Sequence, residues 1–326
     1  MKFLLFSLSL FYRIGCQAKN LFYRRKILRS KRAPLTVISI GNISFGGTEK
    51  TPLVMNLMSF LTTQGFKPAL ISRGYKGKWE KKGGVLSDGI SLFGTWVDSG
   101  DEPFMVAQNI PQAGVFIGKN RLKSCIHAKD LSFAPAVLDD GFQHRRLHRD
   151  LDIVLFDPSK KPALREPVSS LKRAHILLIK KGASTQKKKE IKNIISQTAA
   201  FEYDVIHGAF FNLEGKERIP EEELKEKKVL AFCGIARPEK FSAMLQEKGL
   251  KIVSFLKFPD HHSYRPSSLE KIVEKYQKTK AEALITTEKD AVKISDFEGF
   301  KKIPAYYLKI DIRLEEEFYN KILSFL

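Results

Sequence analysis

Cysteine is scarce in this chain of 326 residues: Cys16, Cys125 and Cys233 are the only three, and they form no CxxC pair. This number and spacing argue against a disulfide framework and are typical of proteins from a reducing compartment. A long apolar run is also missing near the N-terminus. The uncharged stretch at residues 3–12 is shorter than the about 20 apolar residues that a membrane-crossing helix needs.

Acidic residues are absent from residues 1–48, although this part of the chain contains nine Lys or Arg. An apolar run followed by a basic stretch is typical of an interfacial helix, because contact with acyl chains and attraction to anionic headgroups reinforce each other. Residues 1–32 are therefore predicted to form a membrane-associating segment. An ordinary N-terminal helix packed on the core, or a cleaved signal peptide, remains an alternative.

The overall composition describes a folded protein with an anionic partner. Hydrophobic residues make up 43% and charged residues 28% of the chain, which excludes a disordered protein. A chain of this length can bury a full core and is expected to divide into two lobes. The formal net charge of +20 indicates nucleic acid, acidic lipid or a phosphorylated substrate as the partner.

From residue 35 onward, short apolar runs alternate with helical patterns, and no internal repeat is present. Many runs lack a period of two, as expected for strands that are covered on both faces. The helical patterns are clearest at residues 53–63 and 267–279. The predicted strands are Leu35–Ile40, Ala69–Ser72, Val115–Ile117, Ala136–Leu138, Ile153–Phe156, Ile176–Ile179, Val229–Phe232, Ile252–Leu256, Ala283–Ile285 and Tyr306–Ile310.

This alternation predicts an α/β fold with a mostly parallel sheet and helices on both faces. Polar and charged runs make residues 181–227 the most linker-like part of the chain. A fresh strand–helix alternation begins after it. We therefore predict a larger α/β core at residues 33–215 and a smaller C-terminal α/β lobe at residues 216–326.

The strongest local signal is a glycine-rich loop between a predicted strand and a predicted helix. It comprises Ser44, Phe45, Gly46, Gly47, Thr48, Glu49, Lys50 and Thr51. In a P-loop, backbone N–H groups surround the phosphates of a nucleotide, the lysine contacts the terminal ones, and the hydroxyl binds Mg²⁺. The pattern G-x-x-x-x-G-K-[ST] fails twice, because Ser44 and Glu49 stand where it requires glycine. A glycine-rich turn with a chance Lys-Thr remains the alternative.

Paired carboxylates follow the predicted strand at residues 136–138. A P-loop site needs an acidic residue at the end of a nearby strand to hold or orient the metal. Asp139 and Asp140 occupy such a position, so Mg²⁺ is predicted to bind Thr51 together with one of them. The two carboxylates could instead cap the following turn.

At these residues the sequence resembles the tetraacyldisaccharide 4′-kinases of lipid A biosynthesis. The resemblance covers about residues 35–295 and consists of motifs in a fixed order, each of them weak alone. The motifs are the Gly41-Asn42 and Gly46–Pro52 loop, Ser72–Tyr75, Gly100–Pro103, Leu138–His144, Leu164–Pro167, Phe232–Pro238, Phe258–His262 and Ile285–Ala291.

The resemblance implies a P-loop NTPase-like fold and transfer of the γ-phosphate of ATP, with Mg²⁺, to the 4′-hydroxyl of an acylated glucosamine disaccharide 1-phosphate. It also implies that the N-terminal segment associates with the anionic cytoplasmic face of the inner membrane. A substrate with acyl chains and a phosphate agrees with a basic protein that binds a lipid surface. We expect no nucleic-acid partner and infer no stable protein partner.

A sugar hydroxyl is a poor nucleophile, so such a kinase needs a carboxylate that accepts its proton. Asp101 precedes Glu102-Pro103 at a predicted helix start, where it could instead be a simple N-cap. The resemblance favours Asp101 as the base and points to His261 as the residue that orients it. A zinc site at His261 and His262 with His144 and His148 is disfavoured, because a fourth convincing ligand and a Glu-bearing helix motif are missing.

Three other classes of protein remain as alternatives. A membrane ATPase of the partitioning type also carries a Gly-Gly-x-x-Lys-Thr loop and an amphipathic anchor, but it would have no acceptor base. A nucleic-acid-binding module would explain the charge, yet no recognition motif of that type is present. Glu49 raises the further alternative of a non-catalytic relative.

Overall fold

The computed structural model describes residues 15–16, 18–45, 49–158, 164–195 and 198–326. The apolar run at residues 3–12 and loop residues Gly46, Gly47 and Thr48 lie outside the described residues. The chain forms two compact units. The first unit comprises Met1–Ser99, Val106–Asp204 and Ile312–Leu326, and the second comprises Gly100–Met105 and Val205–Asp311.

The first unit is built on a mostly parallel sheet. Its strands lie in the order β8-β7-β6-β1-β5-β2-β4-β3, and only the edge strand β3 runs antiparallel to its neighbour. The strands are β1 (Val37–Asn42), β2 (Ala69–Ser72), β3 (Gly84–Asp88), β4 (Gly114–Ile117), β5 (Ala136–Asp139), β6 (Leu151–Phe156), β7 (Ile176–Lys180) and the beginning of β8 (Ala199–Asn212).

The second unit is also built on β-strands. The order is β11-β10-β12-β13-β8, with β9 paired antiparallel to β8, and the pairs β10–β11, β10–β12 and β12–β13 are parallel. The strands are β9 (Arg218–Ile219), β10 (Lys228–Cys233), β11 (Lys251–Lys257), β12 (Ala283–Thr287) and β13 (Ala305–Leu314), together with the later part of β8.

Helices connect most of the parallel strands, as such crossovers require. They are α1 (Lys50–Thr63), α2 (Trp79–Lys82), α3 (Trp96–Ser99), α4 (Asp101–Asn109), α5 (Arg121–Asp130), α6 (Thr185–Ile194), α7 (Pro238–Glu247), α8 (Pro266–Thr279), α9 (Glu288–Ala291) and α10 (Glu316–Leu323). Short 3₁₀ helices lie at Val168–Arg173, Glu221–Glu223 and Glu298–Phe300. Residues 18–24 are also helical.

The core of the first unit lies around its central strand. All six residues of β1 are buried, because β5 and β6 pair with it on both sides and helices cover a sheet of this kind. Helix α1 packs the buried residues Leu53, Leu57 and Leu61 inward at helical spacing. The end of β1 is therefore a rigid starting point for the loop that follows.

The predicted α/β class and the ten predicted strands are confirmed, as are the helices predicted at residues 53–63 and 267–279. The strands β3, β8 and β9 were not predicted. The linker-like interpretation of residues 181–227 was wrong, because this part contains α6 and the 14-residue strand β8. Polar side chains concealed both elements: α6 carries a run of three lysines, and β8 mixes polar with aromatic residues.

Candidate active site

The glycine-rich loop begins where β1 ends. Asn42 closes the buried strand, Ser44 bridges to Leu164, and α1 begins at Lys50. A Cβ on Gly41 would lie 2.5 Å from the Cβ of Phe142, so only glycine allows β1 to approach the segment after β5. The strand, loop and helix N-terminus have the order and placement that a phosphate-binding loop requires.

Lys50 meets the second of the paired carboxylates. Its Nζ lies 2.8 Å from Oδ1 of Asp140, and Arg165 Nη1 donates to the Oδ2 of the same carboxylate over 2.9 Å. Burial raises the pKa of the Asp140 carboxyl, but the two cations outweigh burial and lower the pKa to about 2. The first unit therefore holds a lysine and an arginine around one ionised carboxylate beside the loop.

The donor atoms at this edge of the sheet fit a magnesium ion. Asp139 ends β5, which pairs with β1, and the Thr51 hydroxyl belongs to the first turn of α1. Carboxylate and hydroxyl oxygens are the hard ligands that Mg²⁺ prefers. Among the described residues, no group of three or more His, Cys, Asp or Glu side chains is arranged to hold a metal on its own. Such a site would therefore need further oxygen ligands from a nucleotide or from water.

Glu49 adopts a left-handed backbone conformation, with φ 52°, directly before α1. Glycine is the residue that adopts this conformation without strain, which agrees with its place in the usual loop pattern. The Oε1 of Glu49 lies 3.3 Å from Nζ of Lys180, at the end of β7, and both side chains are mostly buried. The negative charge within the loop is thus paired with a lysine.

In the second unit, Asp101 and His261 form a hydrogen-bonded pair. Asp101 begins α4 and is 6% exposed, and the Nδ1 of His261 lies 2.9 Å from its Oδ2. The backbone N–H of Glu102 donates to Asp101 Oδ1 over 3.0 Å. The two residues that the sequence predicted as a pair are therefore in direct contact although 160 positions separate them.

Two lysines complete the surroundings of this pair. Lys289 Nζ lies 3.2 Å from His261 Nε2 and donates to Glu102 Oε1 over 3.0 Å. A lysine ammonium only donates, so His261 Nε2 accepts and the ring proton lies on Nδ1, where it points to Asp101. Lys293 Nζ lies 3.4 Å from Asp101 Oδ2, and its side chain is 1% exposed.

The same contacts control the ionisation of Asp101. Burial raises the pKa of its carboxyl, but the hydrogen bond from His261 and the charges of Lys289 and Lys293 lower it more, to well below its usual range. Burial also lowers the pKa of Lys289, while the acids Glu102 and Asp101 raise it above its ordinary value. Asp101 is thus an ionised acceptor, and its lysine neighbour stays charged.

Residues of the motifs at 232–238, 258–262 and 285–291 support the Asp101–His261 pair. Asp290 is fully buried and accepts from the backbone of Gly234 over 2.9 Å and from the Thr287 hydroxyl over 2.8 Å. A Cβ on Gly234 would lie 3.0 Å from the Cβ of His262, so the close approach favours glycine. The backbone N–H of His261 donates to Gly234 O over 3.0 Å.

Sequence reasoning missed three of the cations. Lys289 belongs to one of the motifs of the resemblance, which gave it no role, and Lys293 and Lys180 lie outside those motifs. The spacing of four between Lys289 and Lys293, after a predicted strand, was the available signal for those two. Lys180 gave no signal, because its partner Glu49 is 131 positions away.

A mostly parallel α/β sheet with a glycine-rich loop, Lys-Thr and strand-end carboxylates defines a P-loop nucleotide-binding protein. Comparison with known proteins makes the identification more specific. The family model for tetraacyldisaccharide-1-P 4′-kinase matches residues 1–326. The chain belongs to this family and is a kinase.

Curated relatives and a solved structure agree with this assignment. The chain is 37% identical to the tetraacyldisaccharide 4′-kinase of Syntrophus aciditrophicus, over 95% of this chain and 88% of the relative. It is 35% identical to that of Desulfotalea psychrophila, over 97% and 94%. A crystal structure of LpxK from Aquifex aeolicus in complex with ATP has a TM-score of 0.76 and 30% identity, and the match covers 98% of this chain and 97% of that one.

Proposed function

We propose that this kinase transfers the γ-phosphate of ATP to the 4′-hydroxyl of an acylated glucosamine disaccharide 1-phosphate. The observation that carries the proposal is the Asp101–His261 pair. Asp101 is a buried carboxylate that His261 holds in a fixed orientation, and a positioned carboxylate is one of the groups that accept a proton from an alcohol in general-base catalysis. The alternative of a partitioning-type ATPase gives no reason for such a group.

The loop at residues 44–51 supplies the nucleotide half of the reaction in this proposal. Lys50, which Asp140 orients, binds the β- and γ-phosphates of ATP, and Arg165 adds positive charge beside it. The backbone N–H groups at the start of α1 bind phosphate oxygens. These interactions position the phosphoryl group and stabilise its charge, which is most of what phosphoryl transfer asks of a protein.

Thr51 with Asp139 or Asp140 would hold the Mg²⁺ that accompanies ATP. When bound, the ion neutralises phosphate charge during transfer. Because Lys50 and Arg165 engage both oxygens of Asp140, we assign the ion to Asp139, which ends β5 beside β1. Asp140 then acts by orienting the lysine.

Asp101 accepts the proton of the acceptor hydroxyl as its oxygen bonds to phosphorus. His261 holds the carboxylate through Nδ1–H, and Lys289 holds the imidazole in this tautomer. General-base assistance of this type contributes about 10²–10⁴ in rate. The role of both residues is therefore testable with single variants.

We further propose that residues 1–32 attach the enzyme to the anionic cytoplasmic face of the inner membrane, where the acylated substrate lies. No helix in the described part of the chain has the length and apolar character that a bilayer crossing requires. The basic residues near the N-terminus supply the attraction to anionic lipid.

The decisive experiment compares ATP consumption in the presence and in the absence of the lipid acceptor. Purified enzyme with ATP, Mg²⁺ and the acylated disaccharide 1-phosphate in mixed micelles should consume ATP and form the bisphosphorylated lipid in equal amounts. Micelles that lack the disaccharide serve as the control and should give little ATP consumption. ATP hydrolysis at the same rate in both mixtures would support the ATPase alternative instead.

A further inference from the structure

Large apolar side chains are unusually exposed along the edge strand β3 of the first unit. Ile90 is 93% exposed, and the other members are also substantially exposed. We define the β3-edge patch as Tyr75, Ile90, Leu92, Phe93 and Val97. Single exposed apolar residues are normal, whereas a group of this kind marks an interaction surface.

Backbone contacts link the segments that carry Leu92, Phe93 and Val97 to β3 and to the start of α2. Leu92 bridges to Ser87 of β3, and Phe93 N–H donates to Leu86 O over 2.9 Å. At the other end, Lys78 N–H donates to Val97 O over 3.1 Å. The indole of Trp79 packs against the backbone of Gly84 and Gly94 between the two ends.

The patch is bordered by exposed lysines, and its acids are already engaged. Lys76, Lys78, Lys81 and Lys82 are exposed. Lys82 Nζ lies 5.7 Å from the Trp79 ring. By contrast, Glu80 pairs with Arg73 at 2.7 Å, and the carboxylates of Asp88 and Asp98 accept backbone N–H groups. Apolar side chains beside cationic heads complement an anionic lipid surface.

One member of the patch, Tyr75, lies near the strand that leads into the phosphate-binding loop. Tyr75 follows the carboxyl end of β2, and only β5 separates β2 from β1, whose carboxyl end leads into the loop. Neighbouring strands are about 4.8 Å apart, so the two strand ends lie roughly 10 Å apart. Tyr75, one member of the patch, therefore lies near the edge of the sheet where phosphate binds.

We propose that the β3-edge patch is a second membrane-contacting surface, which inserts its apolar side chains into an anionic bilayer independently of residues 1–32. The inference rests on the proposed function only in naming the bilayer that carries the acylated substrate. A protein partner is less well matched, because the cluster joins lysines, which protein interfaces disfavour, to a strongly protruding aliphatic side chain.

The sequence supplies a direct probe of this surface. The two tryptophans of the chain are Trp79 and Trp96; Trp79 packs within the patch, and Trp96 directly precedes Val97. The full-length protein is mixed with vesicles of phosphatidylethanolamine and phosphatidylglycerol whose acyl chains carry bromine near the headgroup. We expect the native tryptophan emission to be quenched relative to vesicles of unbrominated lipid.

Variants separate the patch from general attraction to the membrane. Ile90→Ser and Phe93→Ser should each weaken vesicle binding roughly tenfold, because each removes a large apolar side chain from the bilayer. The matched control, Val253→Ser with Leu326→Ser, removes two exposed apolar side chains elsewhere and should leave binding unchanged. Lys78→Gln, Lys81→Gln and Lys82→Gln should each cost roughly fivefold at low salt.

Three results would overturn the inference. Sedimentation with vesicles without quenching would mean that the N-terminal segment alone binds the membrane. Absence of vesicle binding would exclude a lipid surface altogether. Self-association of the wild type that Ile90→Ser with Phe93→Ser abolishes would assign the patch to a protein interface. The vesicle assay contains neither ATP nor glycolipid, so an inactive enzyme whose tryptophans are quenched would refute the proposed function and leave this inference intact.

Discussion

Glu49 is the residue whose presence most needs explaining, because it places a carboxylate where a phosphate-binding loop ordinarily has glycine. At about 5 Å from one phosphate charge, a carboxylate is repelled by roughly 3 kcal/mol at an effective dielectric near 20. The contact with Lys180 at 3.3 Å offsets part of this repulsion. We infer a loop whose extra charge is compensated from β7, not a dead site.

This inference makes a prediction for nucleotide binding. Lys180→Gln should weaken Mg·ATP binding about tenfold or more, because it removes the compensating charge, and Glu49→Gly should tighten binding. The double variant should bind ATP at least as well as the wild type, and calorimetry measures all four proteins. Lys188→Gln, on α6, is the control. If Glu49→Gly loosens ATP binding, the glutamate is itself a ligand and the account of the loop is wrong.

The Asp101–His261 pair predicts a loss of turnover without a loss of nucleotide binding. Asp101→Asn and His261→Ala should each lower kcat at least tenfold, consistent with the usual value of about 10²–10⁴ for general-base catalysis. The affinity for ATP should change little. Asp296→Asn, an exposed position in the same unit, is the control. A variant that retains near-normal turnover would remove that residue from the mechanism.

The depressed pKa of Asp101 also predicts a dependence of stability on pH. An unfolded aspartate titrates near pH 4, and the folded group titrates lower. The ionised carboxylate therefore contributes its full stabilisation above about pH 5, and this contribution is lost as the pH falls through the folded pKa. Asp101→Asn leaves the nearly buried Lys293 with one acidic partner fewer, at a cost on the order of 3 kcal/mol.

Urea unfolding at pH 7, 5 and 3 measures this effect. The free-energy difference between the wild type and Asp101→Asn should be similar at pH 7 and pH 5 and smaller at pH 3. A difference that grows on acidification would contradict the direction of the pKa shift.

The sequence predicted the main site residues, but it did not predict the lysines that contact them. Lys50, Asp139 and Asp140 were named because they follow predicted strands. Asp101 and His261 were named from the family resemblance. The lysines around them were not, since they come from elements that are distant along the chain. Nothing in a sequence alone shows that β7 ends beside the loop after β1 or that α9 faces α4.

Among the helices, the one at residues 18–24 shows how the basic N-terminal segment joins the fold. Asn20 Nδ2 donates to the Oε2 of the buried Glu166 over 2.6 Å, and Arg145 donates to Asn20 O over 3.0 Å. Glu166 also receives Gln143 Nε2 over 3.0 Å. The helix is therefore attached to the segment that follows Asp140, whereas Arg24, Arg25 and Lys26 are exposed.

The exposed side of this segment predicts electrostatic membrane binding. Replacing Arg24, Arg25 and Lys26 by Gln should weaken binding to anionic vesicles, because each basic residue near the surface contributes about 1 kcal/mol. The weakening should be greatest at low salt, where charges are least screened. Gln at Lys271, Lys275 and Lys280, exposed on and beside α8, is the control. Binding that ignores both salt and these changes would exclude the electrostatic contribution.

The strands that the sequence did not predict were missed for a common reason. Edge strand β3 and strand β8 lack the continuous apolar run of the buried strands, because fewer of their residues are enclosed on both faces. Periodicity identifies strands by their burial, so it found the sheet centres and missed these strands.

For the entire chain, the sequence predicted the order of strands and helices. It predicted only part of their assignment to the two units. The alternation of strands and helices indicated an α/β fold, and the boundary was placed at residue 215. The contacts instead assign Val205–Asp311 to the second unit together with Gly100–Met105, and they return Ile312–Leu326 to the first. A sequence read in order gives no sign that the segment carrying Asp101 joins a unit formed a hundred residues later.

The proposed substrate gives a physical reason for the net charge of +20. A phosphorylated, acylated sugar in an anionic leaflet offers both the negative charge and the lipid surface that such a protein would seek. In this proposal, the exposed basic residues near the N-terminus and beside the β3-edge patch are the ones that contact anionic lipid.

The central claim is that the enzyme couples ATP cleavage at the loop to phosphorylation of one sugar hydroxyl through Asp101. The most direct measurement follows the label of [γ-³²P]ATP into the acylated disaccharide 1-phosphate and assigns the new phosphate by NMR. We predict label at the 4′ position alone for the wild type, and almost none for Lys50→Ala or for a folded Asp101→Asn that still binds ATP. Label at another hydroxyl, or label released only as inorganic phosphate, would contradict the account.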